Sequence, residues 1–394
     1  MNSEISSYYK THCLFTVFKM VLASLIALLL IARFNFENGA GMLLPIVIIP
    51  IVYHETIEKN LIERGVGSLM GSAIGLILLR LTENWLLFTL AFFTVMVFSM
   101  LYGAKRGLRY TMIWLFITLG IVYSMAYSDI LGAKSFITTW IVNLWIGIFI
   151  TLLVEYTVFP RRPFVQLKKI LAEVPLEKLN FNEVKRLLNV SKFRVSRAEL
   201  TKVQAQVAGI EKDLRQKKML APEPTKTLPT NMEALYGAMR VAVTFIATIA
   251  ITSFLGLPGG FQIVVVAAVS CMQPDLGSLK KKIFDRCIGL ILGLAASLVF
   301  VLILGQIPTL WCLLFTYLFW IAVSAYFGIS RPTWFYFSVQ AAVIVILVLT
   351  SDTSQLSPTT DIMWQRFSAI FEGYVISTTL MTLFGLKASS QSKS

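Results

Sequence analysis

Few residues in this chain could do chemistry, and most of those lie where charge is costly. Glu372 falls about six residues inside the apolar run RFSAIFEGYVIS, which at ~1.5 Å rise per residue is about 9 Å deep. A carboxyl there is too short to reach an aqueous surface and could carry or gate a proton; a neutral, hydrogen-bonded carboxyl is the plainer alternative. Lys19 and Arg240 lie near the starts of two other apolar runs. Their long stems can snorkel to the surface, or their charges can face a cavity and attract an anion. Asn143 and Gln340 fall mid-run, where uncharged polar side chains either tie helices together or line a path. Gln262 and Gln273 flank a short, glycine-bordered run that ends at Pro274, and Pro45 and Pro50 interrupt another short run, GMLLPIVIIPIVYHE. Short or interrupted spans are where freed backbone groups can meet a ligand.

The chemistry this set excludes is equally informative. The chain has no Walker A, HExxH or GxSxG motif and no paired acidic metal motif, so neither an enzyme, a metal site nor a cofactor is expected. His12 and His54 are too few and too scattered for a metal centre. The four cysteines lie in or beside apolar runs, as packing residues do.

These residues need membrane helices to position them. The 394 residues are 56% hydrophobic and 14% charged, with a mean hydropathy of +0.74. Continuous apolar runs, without the ten-residue alternation of a barrel, indicate helices. The spacing predicts twelve spans, at 14–32, 41–53, 65–82, 84–102, 108–127, 136–158, 235–256, 259–273, 287–305, 308–327, 332–350 and 366–386. No cleavable leader is expected before the first of them. The fold expected is an all-α integral membrane protein built as two parallel six-helix repeats, 1–159 and 233–394, around a cytoplasmic helical insert, 160–232. With the N-terminus inside, short inner loops carry ten Lys and Arg and short outer loops three, which places both termini in the cytoplasm.

The insert holds 16 basic and 7 acidic residues, most of the net charge of +14. An anionic inner leaflet accounts for that excess without nucleic acid. Leu200, Val203, Val207, Ile210 and Leu214 form a narrow apolar seam on a helix. It packs on a neighbour within the subunit or makes a homo-oligomer.

The clearest internal pattern is a helix written twice. ERGVGSLMGSAIGLILL, from Glu63, sets Gly67, Gly71 and Gly75 on one stripe; DRCIGLILGLAASLVFVL, from Asp285, sets Gly289 and Gly293 the same way. Arg64 and Arg286 precede the stripes, 222 residues apart. Such spacing lets helix backbones approach closely in lipid. The stripes are expected to pack the two halves across a central path, and each arginine to anchor its helix end to lipid phosphate or a neighbouring acid.

Six helices, an insert and six more, with R-x-x-G-x-x-x-G at Arg64, Gly67 and Gly71 and again at Arg286, Gly289 and Gly293, behind QPDLGSLKKK, resemble the fusaric acid resistance and aromatic acid exporter family. The resemblance implies a bacterial inner-membrane efflux component for aromatic carboxylic acids or related toxic organic anions, and a separately encoded periplasmic membrane-fusion partner. Plant malate-type anion channels look like distant relatives of the same membrane module. Lys19 and Arg240 would then attract the anion, Glu372 would couple the proton, and Pro45, Pro50, Gln262 and Gln273 would shape the site. A passive anion channel and a membrane scaffold acting through the basic insert are the alternatives.

Overall fold

The computed structural model describes residues 2–37, 39–53, 57–81, 84–106, 109–128, 130–158, 171, 184, 188, 197–216, 231–256, 276–350 and 359–384. Among these residues every regular element is helical. The α-helices are α1 (Asn2–Phe34), α2 (Ala40–Tyr53), α3 (Ile57–Leu81), α4 (Trp85–Arg106), α5 (Arg109–Ser128), α6 (Ile130–Thr157), α7 (Arg197–Gln216), α8 (Asn231–Phe254), α9 (Leu276–Gln306), α10 (Leu310–Ser330), α11 (Phe335–Leu349) and α12 (Thr360–Leu383), with a 3-10 turn at Pro332–Trp334. Each expected span falls on a helix except 259–273, which lies outside the described residues together with Gln262 and Gln273.

Among the described residues six helices are long and apolar enough to cross a membrane: Cys13–Phe34, Ile57–Leu81, Gly132–Thr157, Leu235–Phe254, Lys280–Gln306 and Leu310–Ser330. The 14-residue α2 and 15-residue α11 are about 21–23 Å long at 1.5 Å per residue, short of the ~30 Å hydrocarbon core. The 24-residue α12 is long enough, but Asp361, Arg366 and Glu372 and its many hydroxyls lower its apolar content.

The chain divides into two compact units, Met1–Val154 with Thr230–Ser394, and Glu155–Pro229. In the second unit, Val203 and Val207 of α7 are buried while Thr201, Lys202, Ala205 and Gln206 are exposed, so the apolar seam is the covered face of this helix.

In the first unit, α3 is built inside out relative to a helix in water. Asn60, Arg64, Ser68 and Ser72 are buried along with Gly67, Gly71 and Gly75, while Ile62, Val66, Leu69 and Ile77 are exposed. Lipid solvates leucine as well as a protein core does, so an apolar face gains little by burial in a membrane. Polar and small residues gain most by turning inward. The small face lies on α5. A Cβ added at Gly67 would run into the Thr111 carbonyl, and one at Gly71 would lie 2.5 Å from the Leu115 carbonyl oxygen. The same contact recurs between α9 and α11. There a Cβ at Gly289 would strike the Phe337 carbonyl, and one at Gly293 would lie 2.8 Å from the Ala341 carbonyl oxygen. Both stripes therefore pack against a helix of their own half of the sequence. The expectation that they join the halves is corrected here: the small residues are used up on the helix two further along the chain.

Other helices join the halves. α1 packs on α10, where the Cys13 thiol donates weakly to the Tyr326 carbonyl at 3.9 Å. α8 packs on α4, with Phe245 stacked 6.3 Å from Phe92 and edge-on to Phe116 of α5 at 4.7 Å. α2 packs against α1, α3, α10 and α11, and Met42, Leu43, Ile46, Val47 and Ile49 are all fully buried. A helix that is apolar all round suits such a central place. Gly147 of α6 lies against the Met42 carbonyl and the Pro45 ring. Asn35, at φ 48°, turns the chain out of α1 in the left-handed region that asparagine tolerates better than most residues.

Replacing Gly67 by leucine should collapse the α3–α5 contact, since the carbonyl it meets is backbone and cannot swing away. Overpacking costs about 1–3 kcal/mol or more. The expected outcome is a marked fall in the melting temperature of detergent-solubilised protein, read by fluorescence-detected size exclusion. Gly305→Ala, where an added Cβ meets nothing within 4 Å, should melt with the wild type.

Candidate functional site

Among the described residues Arg64 is the largest fully buried side chain, with 0% of its surface exposed. The α3 backbone turns it inward on the same line as Ser68 and Ser72, and its guanidinium carbon lies 3.7 Å from the centre of the Trp114 ring on α5. That contact follows from the glycine register, because Gly67 brings the Trp114 Cβ close. Among the described residues none of the three guanidinium nitrogens has a hydrogen-bond partner. A desolvated cation over an indole gains about 2 kcal/mol, whereas withdrawing such an ion from water costs several kcal/mol. The ring alone thus leaves the charge undercompensated. The guanidinium lies inside the helix pack, so an anchor to lipid phosphate at the membrane surface does not describe it.

Arg286 sits at the matching place on α9 but is only half-buried and has other neighbours. Its Nη1 donates to the Tyr374 hydroxyl at 3.3 Å, and that hydroxyl donates to Gln340 Oε1 at 2.9 Å. Its guanidinium also lies 5.4 Å from the Tyr336 ring, which Lys282 approaches at 4.9 Å. One line of polar contact therefore joins α9, α12 and α11. Gln340 is 4% exposed and Tyr374 2% exposed, so each needs this partner.

The remaining residues singled out in the sequence are dispersed. Lys19 is buried on α1, 5% exposed. Arg240 is half-buried on α8. Asn143, fully buried on α6, donates from Nδ2 to the Glu37 carbonyl at 2.5 Å, tying α6 to the turn between α1 and α2. Glu372 is half-buried on α12, and its Oε2 is buried without a hydrogen-bond partner among the described residues. Pro45 and Pro50 are buried inside α2, where each lacks the N–H that would bond the carbonyl four residues back, at Gly41 and Ile46. Among the described residues no group of three or more His, Cys, Asp or Glu is placed to hold a metal ion.

Sequence reasoning did not single out Trp114, Ser68, Ser72, Thr118 or Tyr374. Ser68 and Ser72 were within reach, since they follow Arg64 at i+4 and i+8. Trp114 and Tyr374 gave no local signal, because what marks them is the helix they face.

Residues 242–380 match the family described as Fusaric acid resistance protein-like. This stretch takes in α9, α10 and α11, the second half of α8 and nearly all of α12, and so the Arg286–Tyr374–Gln340 line. No curated protein and no solved structure matches the chain.

Removing the central hydroxyl tests that line. Tyr374→Phe should strand the Gln340 carbonyl and the Arg286 guanidinium, at a cost of about 1–3 kcal/mol for a buried polar group left unpaired. The melting temperature should fall, and Gln340→Leu added to Tyr374→Phe should cost less than it does alone. A Tyr374→Phe protein melting with the wild type would show the hydroxyl to be idle.

Proposed function

We propose that this protein is an exporter of the bacterial inner membrane, moving aromatic carboxylates or related toxic organic anions outward at the expense of the proton gradient. The apolar helices and the family match carry the coarser statement, a multi-pass membrane protein of transporter type. The observation that carries the finer reading is the burial of cations inside apolar helices, with Arg64 at 0% and Lys19 at 5% exposure. Charge inside a membrane protein is costly, and its usual use is to serve a substrate or ion path. The protein performs no covalent step in this reading and is not an enzyme.

The architecture we infer is twelve spans in two parallel six-helix repeats, with both termini cytoplasmic. Two features support the repeat. The glycine contact between α3 and α5 has its like between α9 and α11, with Gly67 against Thr111 and Gly289 against Phe337. The packing of α1 on α10 becomes, when the halves are exchanged, the packing of α8 on α4. A pseudo-two-fold axis along the membrane normal relates parallel repeats of this kind, with the substrate path near their interface.

In this scheme Lys19 and Arg240, near the starts of α1 and α8, draw the anion in. Gln340 and Asn143, with Gln262 and Gln273, line or border the path, and Glu372 carries the proton. Pro45 and Pro50 keep α2 short and its carbonyls available. The glycines at 67, 71, 75, 289 and 293 hold the walls. A periplasmic membrane-fusion protein completes the route outward, and any homo-oligomer forms through a surface other than the covered seam of α7.

The test uses inside-out vesicles with an acidified lumen and follows uptake of a panel of aromatic acids supplied outside. Wild-type vesicles should show gradient-driven flux, and Glu372→Gln should fall to background while retaining the fold. Flux that ignores the gradient in both proteins would instead make this a passive anion channel and Glu372 a packing residue. Absence of flux that persists after a candidate periplasmic adaptor is added would favour the scaffold reading.

A further inference from the structure

We infer that Arg64, with Ser68 and Ser72 of α3 and Thr118 of α5, forms a buried binding site for an oxyanion, a carboxylate or a phosphate. The first observation is the guanidinium itself, fully buried with three nitrogens unpartnered among the described residues. The acid beside it in sequence does not neutralise it, because Glu63 pairs with Lys59 at 3.5 Å. Trp114 covers one face of the guanidinium at 3.7 Å. A ring on the face leaves the edges open, and the edges carry the N–H groups that grip an oxyanion in a fork.

The second observation is independent and concerns hydroxyls. Serines and threonines inside membrane helices commonly donate to the carbonyl four residues back. This chain follows that habit at Ser297, Ser377 and Thr151, with bonds of 2.8, 2.6 and 2.7 Å. Ser68, Ser72 and Thr118 depart from it, as Ser24 and Ser338 do elsewhere, since their hydroxyl oxygens are buried and have no hydrogen-bond partner among the described residues. They are spread along the helices, Ser68 about 6 Å and Ser72 about 12 Å along the α3 axis from Arg64. Ser68 and Ser72 follow Arg64 at four-residue steps on one face of α3, and a Cβ at Gly71 would lie 3.1 Å from the Thr118 Cβ. A guanidinium can only donate, and a free hydroxyl can donate. Among the described residues Arg64, Ser68, Ser72 and Thr118 make a group of donors without a carboxylate, which suits a ligand that only accepts, an oxyanion.

The matching place on α9 lacks these properties. Arg286 is half-buried and engaged with Tyr374, and Ser297 bonds its own helix. The two halves therefore differ in use, with an anion site in the first and a fixed polar tie in the second. The choice of a carboxylate as probe rests on the export reading above; the binding does not require transport.

The experiment uses the purified full chain in phosphatidylcholine nanodiscs. Sodium benzoate is titrated against chloride at constant ionic strength, and the melting temperature is followed. Saturable stabilisation is expected of a ligand that binds the native state. Arg64→Gln should abolish the shift. The double variant Ser68→Ala, Ser72→Ala, which keeps the cation and the helix, should weaken benzoate binding several-fold. A parallel arm replaces benzoate by increasing phosphatidylglycerol in the disc. Saturable stabilisation there, lost in Arg64→Gln, would assign the site to a lipid phosphate instead of a free carboxylate. The proposal fails if neither anion stabilises the wild type saturably, or if both variants respond as the wild type does. Failure of pH-driven flux would leave an Arg64-dependent benzoate shift standing, so this site and the export reading can fall separately.

Discussion

The close approach of backbones at Gly67 and Gly289 is the contact on which the rest of this bundle depends. In water, two helices are driven together by the apolar area they remove from solvent. In lipid that force is absent, and contact must come from packing and from polar groups that lipid cannot satisfy. An α3 without glycine would be held away from the Thr111 carbonyl by a full side chain, and Trp114 would be carried out of reach of Arg64. The small residues thus do more than join α3 to α5. They set the distance at which a buried cation can lie on an indole ring.

The same principle explains why the buried faces are polar and the exposed faces apolar. Ile62, Val66 and Leu69 point outward from α3 at no cost if they meet acyl chains. Inside, each polar atom needs a partner, and most of the chain supplies one locally through hydroxyl-to-carbonyl bonds along single helices. The Arg286–Tyr374–Gln340 line is a longer version, in which three helices share one chain of donors and acceptors. It holds α9, α11 and α12 in one relative register, since a slip of one residue in any of them would strand two polar groups.

Much of this was legible in the sequence, and the limits have physical causes. Helix positions follow from apolar runs, because a bilayer imposes length and composition on any segment that crosses it. The glycine stripes follow from four-residue spacing. Their partner did not: a stripe specifies that something comes close, not which helix, so the expected contact between halves became a contact within each half. The place of Arg64 ahead of its glycine stripe suggests an anchor to lipid phosphate or a neighbouring acid, because position along one helix says nothing of what stands around it. Tyr374 and Trp114 were invisible for the converse reason, being ordinary aromatic residues until a second helix gives them a cation to face. Gln262 and Gln273 lie outside the described residues, so their part of the argument rests on the sequence alone.

The difference between Arg64 and Arg286 is the point at which duplication and use separate. Both occupy one place relative to a glycine stripe, and both stripes make the same kind of backbone contact. Yet residue 114 is tryptophan where the α9–α11 contact has Gln340, as shown by their equal closeness to Gly67 and Gly289. Tryptophan offers a face without an acceptor, whereas glutamine offers an acceptor that recruits Tyr374, and Tyr374 in turn engages the arginine. The difference at this register position, together with Tyr374 on α12, accompanies a cation left open in one half and tied down in the other.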